Sequence, residues 1–421
     1  MRVLVIGNGA REDALSWRLA ASPSCEAVFA APGNAGTASR GENWAVAPTD
    51  GKALAQRCIT DGIDLAVLGP ETAIAAGVGD RLRDAGISVF GPNRAGGRLE
   101  SSKIFAKRFM ERQAIPTARA VVVHSLDAAR KALDDWEGAV VVKADGLAAG
   151  KGVVVLPCAD AARTLLADWY ERGRIPGGGS DVLLEERLEG REVSVFALCD
   201  GRAIVPLGGA CDYKRAGDGD TGPNTGGMGA YSPPAGFPHD LYDSVREKIL
   251  APFLRGLLAE GEEYSGVLYC GLMWSADGPR VIEFNARFGD PETQVLLPRV
   301  NGDFALLLHS VAQGAVDLSL ATISAQHCVG VVLATGDYPR TNTPLQGLTA
   351  DVSLDDGRRA FWGSSERLDG VVSAAGGRVL TVTALGDDLA QARAHAYDAV
   401  KQLARRLDTD ALTYRSDIAG V

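Results

Sequence analysis

Glu283 and Asn285 stand two residues apart in the stretch Val281-Ile-Glu-Phe-Asn-Ala-Arg-Phe-Gly-Asp-Pro-Glu292. On a β-strand that spacing turns both side chains to one face. A carboxylate and a carboxamide aimed the same way suit a hard cation such as Mg2+, or Mn2+, which takes one or two protein oxygens and fills its shell with nucleotide phosphates. The pair therefore predicts phosphoryl chemistry, although taken alone it reads as polar alternation on a strand edge. A second stretch gives it weight. In Val140-Val-Val-Lys-Ala-Asp-Gly-Leu-Ala-Ala-Gly-Lys-Gly152 an apolar strand ends at Lys143 and runs into a loop with three glycines, among them Gly150 and Gly152 on either side of Lys151. Lys143 is placed to donate to phosphates while the loop amides cover them. The spacing is not that of a P-loop, which excludes that class for this stretch.

Further segments extend the site. In Val182-Leu-Leu-Glu-Glu-Arg-Leu-Glu-Gly-Arg-Glu-Val-Ser194 the backbone near Leu188 is suited to an adenine edge, and Glu192 to accept from ribose hydroxyls. Residues 212–229 read as a long polar loop with six glycines, too long for a passive connection and suited to closing over phosphates. At the N-terminus, Gly7-Asn-Gly-Ala-Arg-Glu12 follows a strand and opens a helix, where amides and Arg11 can hold a phosphate. Glu12 replaces the third glycine of the dinucleotide fingerprint and puts a carboxylate where a pyrophosphate would pack. A monophosphate site or a bare tight turn remain as readings.

The elements that must position these residues form an α/β pattern. Short apolar strands at 3–6, 27–30, 65–68 and 87–90 alternate with helical stretches, which predicts a parallel βαβ sheet over residues 1–100 with its crevice at the glycine- and proline-bearing strand ends. A helix at 102–113 leads to strands at 121–123, 139–142, 153–155 and 182–184 with two connecting helices, a lid subdomain over about 121–188 of a central unit spanning 101–325. A helix is expected at 238–260. Strands at 329–334 and 378–383 with a helix at 389–407 make a closing domain over 326–421.

Composition bounds the function. No run approaches the roughly 18 apolar residues of a membrane span, and the first strand lacks the features of an export leader. Seven scattered cysteines, odd in number and without metal-ligand spacing, point to reduced thiols and a cytoplasmic protein. A net charge of −10 disfavours nucleic acid as partner. Small-molecule substrates and a monomer or weak dimer are expected.

Together these residues resemble the ATP-grasp ligases, and within them the chain is similar over nearly its whole length to the glycinamide ribonucleotide synthetase family. The segments that carry the likeness are Leu99-Glu-Ser-Ser-Lys-Ile-Phe-Ala-Lys107, Lys143-Ala-Asp-Gly-Leu-Ala-Ala-Gly-Lys-Gly152, Gly217-Asp-Gly-Asp-Thr-Gly-Pro-Asn-Thr-Gly-Gly-Met-Gly-Ala-Tyr231 and Phe284-Asn-Ala-Arg-Phe-Gly-Asp-Pro-Glu-Thr-Gln294. The resemblance implies an ATP-grasp fold and a reaction in which ATP phosphorylates the carboxylate of glycine and the amine of 5-phosphoribosylamine captures the acyl phosphate. It also implies roles. Lys103, Lys143, Gly150, Lys151 and Gly152 would contact ATP phosphates, Glu185, Glu186 and Leu188 the adenine side, Glu192 the ribose, and Glu283 with Asn285 the metal. Arg287, Asp290 and Lys214 would serve the chemistry, with Arg287 and Asp290 facing the amino acid. Gly9, Arg11, Asn34 and Gly36 would hold the ribose phosphate, and Glu71, Asp212, Asn224 and Gly226 would complete the substrate side. Three positions depart from the family, which usually has histidine where this chain has Asp13, Tyr213 and Trp362. Such departures fit ordinary drift, and equally a paralogous ligase of secondary metabolism that joins another acid or amine.

Overall fold

Val3, Leu4, Val5 and Ile6 are wholly buried, as an unbroken apolar run must be in a parallel sheet covered on both faces. They belong to β1 (Arg2–Gly7), the centre of a five-stranded parallel sheet with β2 (Ala27–Pro32), β3 (Glu42–Asn43), β4 (Leu65–Leu68) and β5 (Ser88–Phe90) in the order β3-β2-β1-β4-β5. Strand order reverses beside β1, so the crevice opens where β1 and β4 end, next to the first turn of α1 (Ala10–Ala20). The molecule is known from a computed structural model that describes residues 1–147, 152–355, 357–407 and 410–420.

Helix α2 (Lys103–Arg112) starts at Ser102, whose hydroxyl caps Phe105 N, and places Lys103 in its first turn. The expected small sheet follows. It consists of β6 (Ala120–Val123), β7 (Val140–Ala144), β8 (Val153–Leu156) and β9 (Val182–Glu186), antiparallel in the order β6-β9-β7-β8. Two helices, Leu126–Ala132 and Ala159–Glu171, pack on it through Ala129, Leu166 and Trp169, closing a core of its own.

The central and C-terminal parts share one sheet. Strands β10 (Arg191–Cys199), β11 (Ile204–Asp212), β14 (Gly229–Ser232), β15 (Gly266–Ser275) and β16 (Gly278–Asn285) continue into β19 (His327–Thr335), β21 (Arg358–Trp362) and β24 (Arg378–Gly386), in the order β16-β15-β10-β11-β14-β19-β24-β21. The strands of the closing domain expected at 326–421 thus join the central sheet through β14, which pairs β11 on one side and β19 on the other. Residues 212–229, expected as a loop, instead fold into a hairpin of β12 (Arg215–Gly217) and β13 (Thr221–Asn224) before entering β14. The helical run at 241–260 contains a π-helical turn at Arg246–Leu250. The C-terminal helix α3 (Leu389–Leu407) buries Ala392, Ala396, Ala399, Val400, Leu403 and Leu407, one face at helical spacing, against β19 and β24. Smaller strands β17 (Val300–Gly302) and β18 (Ala321–Ile323) pair with each other, while β20 (Leu345–Thr349), β22 (Ser365–Leu368) and β23 (Val371–Ala374) form a surface sheet. Among the described residues all seven cysteines are free thiols, five of them buried, and no helix is long and apolar enough to cross a membrane.

Candidate active site

The strand carrying Glu283 and Asn285 has an irregularity that matters. Register between β15 and β16 shifts after the pair Leu272 and Val281, then resumes at Gly271 with Glu283 and Tyr269 with Asn285. Glu283 and Asn285 therefore keep one face, as expected, while the bulge falls at Ile282. A bulged residue leaves ladder groups unpaired, and the Ile282 carbonyl accepts from Lys143 Nζ at 3.1 Å. Among the described residues neither Glu283 nor Asn285 uses its side chain in a hydrogen bond or ion pair. Opposite Glu283 stands Gly271, where a Cβ would lie 3.3 Å from Glu283 Cγ. Two free oxygen donors on one face, with a glycine across from them, fit a divalent ion that takes its remaining ligands from phosphates and water. No group of three or more His, Cys, Asp or Glu suited to a metal occurs among the described residues, so a dedicated protein cage is not what this site offers.

Beside the pair lies a buried cluster of opposite sign. Glu185, expected on the adenine side, is gripped by Lys143 Nζ at 2.7 Å and Lys107 Nζ at 2.9 Å, and the side chains of all three are no more than 6% exposed. Lys107 also donates to Thr117 Oγ1 and the Ala118 carbonyl. Two ammonium groups share one carboxylate, which leaves surplus positive charge in a nearly dry place and favours an arriving anion. Burial lowers the pKa of Lys107 despite Glu185, and lowers that of Lys103 despite Glu283. Lys103 Nζ donates to the Gly146 carbonyl, and so faces the same side. Gly152 closes the β7–β8 connection by accepting from Ala144 N, whereas Gly150 and Lys151 lie outside the described residues.

Along the cleft, Glu186 accepts from Arg119 N and pairs with Arg280. Leu188 is half-buried on the link between β9 and β10. Glu192, exposed, meets Lys214, which also reaches Asp212 at 3.0 Å. Burial works against the charge on Lys214, but Asp212 and Glu192 outweigh it and carry its pKa well above the ordinary value. Behind them lies Glu292, to which the sequence reading gave no role. Its carboxyl accepts from Tyr269 OH at 2.6 Å, and Tyr269 in turn takes a bond from Ser194. Burial first, then the nearby Asp212 charge, push Glu292 up to about 7. Its place two residues after Asp290 was the only sign in the sequence, and nothing in the spacing told that it is buried.

The turn after β16 leads to a dense network. Arg287 gives Nε to Glu71 at 2.9 Å, Nη2 to Glu100 at 2.9 Å and Nη1 to the Phe288 carbonyl, so all three nitrogens are engaged. Glu71 is the more exposed partner, at 30% against 8% for Glu100, and is the one an incoming carboxylate would displace. Burial alone would raise Asp290, but Arg378, Arg11 and its bond from Gln294 more than offset that and hold its carboxyl low. The N-terminal residues are also engaged within the protein. Gly9 N and Arg11 Nε both bind the Glu12 carboxylate, and Cβ atoms built at Gly7, Gly9 and Gly69 would stand 2.2–2.8 Å from it. Glu12 thus fills the cradle that the three glycines leave. Asn34 Nδ2 donates to the carbonyls of Asn8, Gly9 and Trp362, and a Cβ on Gly36 would lie 1.9 Å from Asp13 Oδ2. Asn224 ends β13 exposed, and Gly226 N donates to Tyr338 OH.

The three positions without histidine all bear structure. Asp13 Oδ1 pairs with Arg40 at 2.9 Å, and Oδ2 accepts from Trp362 N at 2.8 Å. Trp362 is buried, and Tyr213 OH accepts from Ala419 N while Arg415 stacks on its ring. Between the N-terminal turn, the Asp290 turn and the C-terminal strands lies a cavity of about 210 Å³, lined by residues including Gly9, Asp290, Asn342, Ser364 and Arg378.

Comparison with known proteins places this geometry. Residues 1–100 match the N domain of phosphoribosylglycinamide synthetase, 101–293 its ATP-grasp (A) domain and 328–420 its C domain. A phosphoribosylamine–glycine ligase of Leifsonia xyli is 45% identical over 428 aligned residues, covering 100% of this chain and 99% of the relative. One from Neisseria meningitidis is 43% identical with the same coverage. The crystal structure of a phosphoribosylamine–glycine ligase from Thermotoga maritima is similar with a TM-score of 0.86 at 32% identity, covering 99% of this chain and 100% of that one. With two unpaired oxygen donors on one strand face, a buried lysine cluster beside them and matches along its whole length, the chain belongs to the phosphoribosylglycinamide synthetase family of ATP-grasp proteins.

Proposed function

We infer that this enzyme is an ATP-dependent ligase that joins glycine to 5-phosphoribosylamine, yielding glycinamide ribonucleotide, ADP and phosphate, a step of purine biosynthesis carried out in the cytoplasm. The observation that carries the reading is the free pair Glu283 and Asn285 on the flank of the Lys143–Glu185–Lys107 cluster. Glycine's carboxylate attacks the terminal phosphorus of ATP and ADP leaves. The amine nitrogen then attacks the acyl carbon, phosphate departs and the nitrogen loses a proton. The protein's part is positioning and charge compensation. Lys103 and Lys143 offset phosphate charge, and Glu186, Leu188 and Glu192 frame the nucleoside. Glu283 and Asn285 would hold Mg2+, which when bound supplies charge neutralisation on the phosphates. Arg287 meets glycine by exchanging Glu71 for the substrate carboxylate. Lys214, tied to Glu192 and Asp212, lies between the nucleoside end and Glu292.

Identity of 43–45% over the full chain to relatives named for this reaction favours it over a paralogue with another acceptor. The Asp13 carboxylate and the Tyr213 hydroxyl each have partners within the protein, while Trp362 contributes a backbone N–H and a buried ring. The test is ADP release with Mg2+ and ATP across carboxylic acids and amines. Turnover with another pair and none with glycine and phosphoribosylamine would overturn the assignment. Glu283→Ala is expected to abolish ADP formation while leaving the melting temperature within about 2 °C, because its carboxylate has no hydrogen bond or close ion pair to lose and acts on Lys103 only through space.

A further inference from the structure

The glycine turn after β1, the place where an α/β crevice ordinarily takes a phosphate, is occupied by the protein's own Glu12. The open space is beside it. The cavity of about 210 Å³ is smaller than the ~300–1,000 Å³ of drug-sized sites, which suits a sugar phosphate better than a nucleotide. Its cationic wall is Arg378. Nη1 of that side chain is spent on the Gly226 carbonyl at 2.8 Å, the Asp290 carbonyl at 2.9 Å and Asp290 Oδ1 at 3.1 Å. Nε and Nη2, which form the other edge of the guanidinium, carry no hydrogen bond among the described residues. An arginine held along one edge with a second edge free is pre-set for bidentate binding of a phosphate.

Two further donors border the same space. Ser364 Oγ accepts from Asn8 Nδ2 at 3.0 Å, which leaves its own proton to give. The Asn342 carboxamide makes no side-chain hydrogen bond among the described residues. The one carboxylate on the lining, Asp290, is already paired with Arg378 Nη1 and takes a bond from Gln294.

We propose that the phosphate of the amine substrate binds on the C-terminal strands, to Arg378 Nε and Nη2 with Ser364 and Asn342, and not at the glycine turn after β1. This rests on the reading of the amine as a phosphorylated pentose. Because Arg378 also holds Gly226, the phosphate and the glycine-rich segment 212–229 share an anchor, so the amine subsite is complete only when that segment is in place.

Steady-state kinetics on Arg378→Lys, Arg378→Ala and Ser364→Ala test it, alongside direct binding of ribose 5-phosphate by titration calorimetry. Loss of a charge-assisted bidentate contact should raise KM for phosphoribosylamine roughly 10- to 100-fold, with KM for ATP within about twofold. Affinity for ribose 5-phosphate should fall in parallel. An unchanged KM for the amine with a lowered kcat would overturn the proposal, and so would unchanged ribose 5-phosphate affinity in the variants. Should Arg378→Ala fail to fold, Ser364→Ala decides, with an expected rise in KM for the amine of several-fold and no rise as the refuting result. If the wild type turns over no phosphorylated amine but binds ribose 5-phosphate through Arg378, the subsite stands and the assigned reaction fails. If turnover is normal and ribose 5-phosphate affinity is indifferent to Arg378, the reaction stands and the subsite fails.

Discussion

Glu185→Gln tests the claim that the phosphate side of the cleft stores surplus positive charge. In the wild type one carboxylate serves Lys107 and Lys143, with all three side chains nearly dry. A glutamine keeps the volume and one acceptor but removes the charge, leaving two ammonium groups without a counter-ion. Breaking a buried pair by removing one partner costs about 3–5 kcal/mol, and the retained acceptor argues for the lower end. At about 2.1 cal/mol/K per residue, a chain of 421 residues melting as a unit registers ~3 kcal/mol as a fall of roughly 3–4 °C. The effect depends on pH in a definite direction. Burial already holds Lys107 below the ordinary lysine value, and the variant lowers it further. The unfolded chain then binds more protons than the folded one, so stability climbs as pH rises toward the unfolded lysine value. The deficit of the variant should be larger at pH 7 than at pH 9.5. Saturating ATP should restore part of it at pH 7, since phosphate oxygens replace the lost carboxylate. Scanning calorimetry at both pH values, with and without ATP, reads all of this. A variant within 1 °C of wild type at pH 7, or a deficit that grows with pH, would refute the buried-charge argument.

Two other perturbations follow from named contacts. Glu292 has a folded value of about 7 against an ordinary 4.5, with burial as the first cause. The folded state therefore holds a proton that the unfolded state releases, and stability falls as pH rises from 4.5 to 7 by an amount on the order of 3 kcal/mol. Glu292→Gln should flatten that slope in denaturation curves taken at pH 5 and pH 7.5, and an unchanged slope would count against it. Arg415 is buried under the tail and binds Asp220, Asp417 and the Arg215 carbonyl, while Ser416 and Gly219 complete the tie between the tail and the 215–224 hairpin. Arg415→Ala should release that hairpin at a local cost of about 3 kcal/mol or more, seen as faster proteolysis within 212–224. Equal cleavage rates would show that the tail does not hold it.

What could be read from the sequence was what neighbours along the chain decide. The runs Val3 to Ile6 and Val140 to Val142 are apolar without interruption, and each became a buried strand. The alternation of Glu283 with Asn285 correctly gave a shared face, but the bulge at Ile282 that opens a carbonyl to Lys143 leaves no mark in residue types. Residues 212–229 looked like a loop because β13 is Thr-Gly-Pro-Asn, exposed along its length and poor in strand formers. It becomes a hairpin through contacts with Arg415 and Ser416, about two hundred positions away. The crowding of Arg287 by Glu71 and Glu100 is equally non-local. The motif named the arginine as a ligand-binding group, while its ion pairs depend on where the N-terminal sheet docks.

The three departures from histidine illustrate the same rule on the substrate side. As sequence, the departures at Asp13, Tyr213 and Trp362 fit either ordinary drift or a changed acid or amine. In space Asp13 and Trp362 are one feature, since Trp362 N donates to Asp13 Oδ2 and the opposite oxygen takes Arg40. Burial pushes the Asp13 carboxyl up, and Arg40 with the Trp362 N–H pull against that without overcoming it. The bond uses the backbone N–H of position 362, so it is the Asp13 carboxylate that clamps α1 to β21. Asn34 completes the clamp by bonding the Trp362 carbonyl. The clamp lies behind the cavity wall formed by Gly9, Gly363 and Ser364, and so fixes the distance between the N-terminal turn and Arg378. Tyr213 acts on the other flank through Ala419 and Arg415. The departures therefore alter how the walls of the amine subsite are braced, while the groups that line it, Arg378, Ser364, Asn342 and Asp290, are supplied by other positions. That separation is why the chain can lose three histidines and keep a cleft of the family's kind.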